Sequence, residues 1–250
     1  MTHGGQQGFD VRVDWALPGA RALVEGGATT VAVVDVLSFT TTLSAAVERG
    51  SAVRPHRFYQ ESARAEAAAL GAVCAVGRSV AGPGEVSLSP ASVLAAEPVP
   101  RLVLPSPNGS AICEVLADLG VEVVGGALRN ATAVDSRLAG RPGPVGVVAA
   151  GERWVGDGSL RPAVEDLWGA GAVVDALVGA RPRASLSPEA AVARAAWLAV
   201  RDDVTSALRA CASGVELRDK GFGADVDIAA AVDVSDVVPV LVDGWFRPAT

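Results

Sequence analysis

The sequence predicts an α/β fold, a three-layer α/β/α sandwich around a mostly parallel or mixed sheet. Three observations predict it. Half of the 250 residues are hydrophobic, and these are mostly Ala, Val and Leu with only 4% aromatics, a composition that suits helices packed on a sheet. Continuous apolar, β-branched runs read as strands buried on both faces. Such runs lead repeatedly through turn residues into helical patterns, the alternation expected of a parallel sheet with ligands at the carboxyl ends of its strands. The whole chain, 1–250, reads as one domain. Arg181-Pro182-Arg183 is a connection, with too little change in composition around it to mark a boundary.

The polar, Gly/Gln-rich stretch Met1 to Asp10 has neither a basic region nor an apolar one, so no signal or transit peptide is read there. The first clear strand is Val31 to Leu37, broken only by Asp35. A helix follows, with Thr40, Thr41 and Thr42 as capping candidates, Leu43, Ala46 and Val47 as its apolar stripe and Gly50 as its stop. A short strand is expected at Val73 to Val76. The grammar recurs at Arg101 to Leu104, a turn from Pro105 to Ser110, and a helix from Ala111 to Leu119. Val121 to Val124 reads as another short strand. Val145 to Ala150 then leads through a Gly-rich loop into a helix from Glu165 to Val178. Ser187-Pro188-Glu189 opens what reads as one long Ala-rich helix reaching Ala212, and Asp225 to Ala231 and Val237 to Val242 read as two closing strands.

Several chemistries are excluded by what is missing. The formal charge is −7 and the arginines are scattered among carboxylates, which argues against nucleic acid as a partner. No apolar run is long enough to span a bilayer, so no membrane partner is expected. Lys220 is the only lysine and no GxxxxGK[ST] surrounds it, which rules out a P-loop. His3 and His56 sit in no metal-ligand spacing and near no GxSxG elbow. Arg218 lies seven residues after Cys211 and misses a Cys-x5-Arg loop. Leu37 stands where an Asp-x-Asp phosphatase needs its second Asp, and no GxGxxG follows the first strand. Cys74, Cys113 and Cys211 read as small buried hydrophobes in a reducing compartment, so a cytoplasmic location is expected. A homo-oligomer is left open.

Four features remain as candidates for chemistry. Asp35, a carboxylate near the end of an apolar strand, is costly unless paired. It could bind a cation, cap the next helix or pair with a buried Arg. Glu165 and Asp166 open a helix, where they could touch a metal or its waters, or serve the helix dipole alone. The helix entrances at Thr40-Thr41-Thr42 and Asn108-Gly109-Ser110 place hydroxyl or amide groups beside free N–H groups, a geometry that suits phosphate or sulfonate oxygens and that ordinary capping also uses.

In order along the chain stand VVDVLSFTTTLSAAVERG (33–50), VGR (76–78), LSP (88–90), PNGSA (107–111), RNATAV (129–134), AAG (149–151), VEDLWGAGAVV (164–174) and DVVPVLVDG (236–244). This series resembles the 2-phosphosulfolactate phosphatases, which use Mg²⁺ to hydrolyse 2-phosphosulfolactate to 3-sulfolactate and phosphate. The resemblance implies a small anionic phosphate ester as partner and Mg²⁺ as cofactor. It also implies Asp35, Thr40, Thr41, Asn108, Gly109, Asn130, Glu165 and Asp166 as positions lining the site. On this reading Asp35 and one of Glu165 or Asp166 hold Mg²⁺, which polarises a phosphoryl oxygen and activates the attacking water. The two helix entrances, including Ser110, and Arg78 hold the substrate's anions. Two positions depart from the family pattern: Ser38 and Ala111 stand where it usually has Arg. An Arg fork is not replaced by Ser or Ala, so the alternative is a relative of altered specificity, or one that binds a small anionic metabolite without turning it over.

Overall fold

The computed structural model describes residues 3–57, 60–82 and 84–249. Met1 and Thr2, the start of the polar N-terminal stretch, lie outside them. The elements run β1 (Val11–Trp15), α1 (Ala16–Glu25), β2 (Thr30–Val34), α2 (Phe39–Glu48), β3 (Ala52–Arg57), α3 (Gln60–Leu70), β4 (Val73–Cys74), α4 (Pro90–Ala95), β5 (Arg101–Ser106) and α5 (Gly109–Asp118). They continue β6 (Glu122–Gly126), α6 (Ala131–Ala139), β7 (Val145–Ala149), the small hairpin β8 (Glu152–Arg153) and β9 (Leu160–Arg161), α7 (Val164–Ala180), α8 (Pro188–Leu198), α9 (Val204–Ala210), α10 (Ala212–Asp219), α11 (Gly223–Ala229), β10 (Pro239–Val242) and β11 (Trp245–Pro248).

Nine strands form one mixed sheet in the order β1-β7-β2-β6-β10-β11-β3-β5-β4, flanked by helices on both faces as a three-layer α/β/α sandwich. The pairs β1-β7, β7-β2 and β2-β6 are parallel, and so are β3-β5 and β5-β4. The antiparallel hairpin β10-β11 joins these two blocks. Side chains alternate across a strand, and β2 uses this to feed two cores. Val31 and Val33 pack with Phe39 and Leu43 of α2, while Ala32 and Val34 pack with Val173 and Val174 of α7. Every residue of α2 from Phe39 to Val47 is buried, as expected of a helix that is apolar or small on all sides.

Several expectations are corrected. The strand read over Val31 to Leu37 ends at Val34, because Asp35 turns both carboxylate oxygens to backbone N–H groups instead of continuing the ladder. The stretch Asp225 to Ala231 is helical. Asp225, Val226 and Ala229 are buried together on one face of α11, so a helical period won over the apparent alternation of Asp225-Val226-Asp227-Ile228. The long helix expected over Ser187 to Ala212 is three pieces. Ser187 does cap α8, accepting the Ala190 N–H at 3.1 Å with Pro188 in the first turn. That helix stops at Leu198, Asp203 caps α9 by accepting the Ser206 N–H, and Cys211 opens α10. Not anticipated at all were β1, α1, β3, α3, α4, α6, the β8-β9 hairpin and β11.

Candidate functional site

The end of β2 and the first turn of α7 are forced together by small residues. A Cβ on Gly169 of α7 would lie 2.6 Å from a Val36 methyl carbon and 2.7 Å from one of Val34, so only glycine lets the helix approach this closely. That contact carries Glu165 and Asp166 to the end of β2. Asp166 Oδ1 accepts the Val36 N–H at 2.7 Å and its Oδ2 accepts the Gly151 N–H at 2.8 Å, which ties the loop after β2 to the loop after β7.

Asp35 is fixed in the same manner. Its Oδ1 accepts the Phe39 N–H at 3.1 Å and its Oδ2 accepts the Gly109 N–H at 3.0 Å, so the entrances of α2 and α5 share one carboxylate. Gly109 admits no side chain here, since a Cβ would strike the Phe39 ring and lie 2.8 Å from the Asp35 oxygen. Asn108 stands at the start of α5. It donates to Glu152 Oε2 at 3.0 Å and accepts from Arg153 Nε at 3.1 Å, which holds the β8-β9 hairpin against the loop after β5.

Burial and mutual repulsion govern the titration of these groups. Burial above all raises Asp35 to about 6, with Glu165 adding repulsion against the backbone N–H groups and Arg78 that lower it. Burial and then Asp35 raise Glu152 to about 7. Asp166 is pushed well above the ordinary carboxylate range by burial, then by Asp35 and Glu165. Glu165 is buried beside Cys211, whose thiol is raised to about 12 by burial and by that carboxylate. Among the described residues, none of these four carboxylates has an Arg, Lys or His in an ion pair. Among the described residues, no three His, Cys, Asp or Glu side chains form a ready metal cage.

A cavity of about 510 Å³ opens above this acidic wall. Among the residues that line it are Asp35, Ser38, Arg78, Asn108 and Glu152, together with Leu88, Leu217, Lys220 and Phe222. Arg78 is held in place: Nε donates to Asp225 Oδ2 at 3.0 Å and Nη2 donates to Ser38 Oγ. Asp225 is itself fixed, accepting from Ser89 Oγ at 2.5 Å and from the Ala91 N–H at 3.2 Å.

Of the residues singled out by sequence, Asp35, Arg78 and Asn108 line the cavity, with Gly109, Glu165 and Asp166 directly behind. The hydroxyls are turned elsewhere. Thr40 Oγ1 donates to the Asp35 carbonyl at 2.9 Å, Thr41 Oγ1 to that of Val36 at 2.7 Å and Ser110 Oγ to that of Leu104 at 2.9 Å. Asn130 is fully buried at the start of α6, where it accepts the Ala127 N–H and donates to the carbonyls of Gly125 and Val237. Arg129 is bound to Glu48 at 2.9 Å. Sequence reasoning missed Glu152 and Asp225. The signal for Glu152 was its place immediately after the strand-end run Ala149-Ala150-Gly151. Asp225 was hidden by its assignment to a strand.

No helix among the described residues is long and apolar enough to cross a membrane. No curated protein matches the chain. A family model described as 2-phosphosulpholactate phosphatase matches residues 21–244, a span that holds every residue of the cavity, from Asp35 to Phe222. With nearly the whole chain covered and the acidic wall inside the matched span, the protein belongs to the 2-phosphosulpholactate phosphatase family.

Proposed function

We propose that the protein is a Mg²⁺-dependent phosphoric monoester hydrolase acting on a small organic phosphate ester, with 2-phosphosulfolactate the first ester to try. The observation that carries this reading is the gathering of Asp35, Glu152, Glu165 and Asp166 at one cavity end, with no cation bound to any of them among the described residues. Buried charge left in that state is costly, and the raised pKa values of Asp35, Glu152 and Asp166 register the cost. A divalent cation relieves it.

The donor set suits Mg²⁺. That ion takes one or two carboxylates and keeps water and phosphate oxygens for its other positions, so a two-carboxylate edge serves it and a cage is not needed. Asp35, which lines the cavity, would hold it together with Glu165, while Asp166, behind the lining, braces the two loops through the Val36 and Gly151 N–H groups. Bound there, Mg²⁺ supplies Lewis-acid polarisation of the phosphoryl group. Arg78, aimed by Asp225 and Ser38, offers its remaining N–H groups to a phosphate oxygen. Glu152, near neutral pH half protonated, is placed to pass a proton to the leaving oxygen or take one from water.

Ser38 and Ala111 favour a second reading, a relative with altered specificity or one that binds an anion without turnover. Ser38 accepts a hydrogen bond from Arg78 where the family pattern supplies a second guanidinium. Phosphate release from a panel of esters, with Mg²⁺ and with EDTA, separates these. Turnover that EDTA abolishes supports the hydrolase. Binding of esters with no release from any of them supports the second reading.

A further inference from the structure

The hairpin β8-β9 brings two further arginines to the edge of the cavity. Glu152 and Arg161 are paired across the hairpin, and directly opposed residues share a face, so Arg161 stands beside a carboxylate that lines the cavity. Its Nη2 donates to Ser213 Oγ at 3.2 Å, and its guanidinium lies 6.0 Å from the centre of the Trp154 ring. Arg153 Nε donates to Asn108 Oδ1 at 3.1 Å and Nη1 to the Gly158 carbonyl at 3.2 Å. Asn108 and Ser213 are both buried and both line the cavity. Each guanidinium is thus one hydrogen bond away from the cavity wall.

These two differ from the cations of the lining in what they touch. Arg78 is bound to Asp225 at 3.0 Å and Lys220 to Glu216 at 2.6 Å. Among the described residues, Arg153 and Arg161 have no carboxylate in an ion pair, and their partners are an amide oxygen, a carbonyl and a hydroxyl. Asp157, in the turn of the same hairpin, is taken by the N–H and hydroxyl of Ser159. Glu152 feels the charge of Arg161, yet burial still holds it at about 7. Exchanging a neutral acceptor for an anion gives a guanidinium a hydrogen bond roughly twice as strong. Ser38 and Ala111, where the family pattern has arginine, bring no charge, and the hairpin supplies cations that those positions do not.

We propose that Arg153 and Arg161 form a subsite for a second anionic group, a sulfonate or a carboxylate, on the alcohol portion of the phosphate ester. The subsite rests on the hydrolase reading only for placing the phosphoryl group at the acidic end. Two anions on one molecule are then met separately, the phosphoryl group by Arg78 and the divalent cation, the other by the hairpin. The two arginines select doubly anionic esters over esters with an uncharged tail.

Equilibrium binding tests this without turnover. Propylphosphonate and its analogues ending in a carboxylate, 3-phosphonopropanoate, or in a sulfonate, 2-phosphonoethanesulfonate, are titrated calorimetrically into the full chain with Mg²⁺. The wild type is expected to bind at least one charged analogue about tenfold or more tighter than propylphosphonate, and the tighter of the two names the group. Arg153→Gln and Arg161→Gln are each expected to cut that ratio roughly three- to tenfold, and Arg161→Lys to keep more of it than Arg161→Gln. Unfolding transitions show whether each variant folds, and Arg153→Gln with Arg161→Lys carries the test if Arg161→Gln does not. An arginine that only staples the hairpin weakens all three ligands alike and leaves the ratio unchanged, which overturns the proposal. So does a wild type without preference, or one that binds no phosphonate. Phosphate release is measured alongside on the corresponding esters. A preference lost in the arginine variants, with no release from any ester, would defeat the hydrolase and leave the subsite standing. Mg²⁺-dependent release from phosphosulfolactate without that preference would do the reverse.

Discussion

The inner wall of the cavity and its outer rim are built by opposite means. At the inner wall, Asp35 and Asp166 have all four oxygens bonded to backbone N–H groups at 2.7–3.1 Å, and both residues are buried between the ends of central strands and the starts of long helices. At the rim, Leu217, Lys220 and Phe222 come from short helices and the turn between them. Groups held by backbone amides on rigid elements keep their geometry to the precision that chemistry needs. Groups on short outer segments can change without disturbing the sheet. On the proposed reading, the reaction falls to the wall.

The largest effect should come from the wall. Asp35→Asn is expected to lower Mg²⁺-dependent phosphate release by ~10²–10³-fold or more, as loss of a key electrostatic group in an active site does. Activity near wild type would move the chemistry elsewhere. Next comes Asp166→Ala, which leaves the Val36 and Gly151 N–H groups buried without an acceptor. A loss of about 1–3 kcal/mol per amide should appear in urea unfolding. Between wall and rim stands Asp225→Asn, which loosens Arg78 without touching the ester. It should raise KM about tenfold with a smaller change in kcat, and an equal fall in kcat would show Arg78 acting in the transition state instead.

The smallest effect is on the pH dependence of stability. Asp35 and Glu152 titrate at about 6 and about 7 in the folded chain, above their ordinary 3.8 and 4.5. The folded chain therefore holds more protons than the unfolded one between those values. Their contribution is fully present below about pH 4 and is lost as pH rises through 6 to 7. Tm without Mg²⁺ should fall across that window, and Glu152→Gln should remove the upper part of the fall.

Sequence and structure agree best where local pattern and burial coincide. The run Val31 to Leu37 announced a buried strand, and Asp35 stood out because a lone carboxylate among Val and Leu demands a partner. Glu165 and Asp166 were visible as a paired acidic start to a helix, though Gly169, which seats that helix on β2, was not read for this role. Hydroxyl direction was not legible: Thr40, Thr41 and Ser110 could serve an anion or a carbonyl equally well by spacing, and their helices turn them to carbonyls. The rim was lost because its segments are Ala-rich or alternate by coincidence. Asp203 was the one cue that the stretch from Ser187 to Ala212 breaks, and nothing local to Asp225 reveals Arg78 and Ser89 as its partners.

Thermal unfolding of the wild type and of Asp35→Asn at pH 8, with and without Mg²⁺, tests the central claim most directly. The account predicts that Mg²⁺ raises the wild-type Tm, by roughly 2–4 °C for each kcal/mol of binding, that the rise shrinks at pH 5 as the carboxylates protonate, and that Asp35→Asn loses it. An unchanged Tm in the wild type, or an equal rise in Asp35→Asn, would contradict the claim that this acidic wall is a Mg²⁺ site.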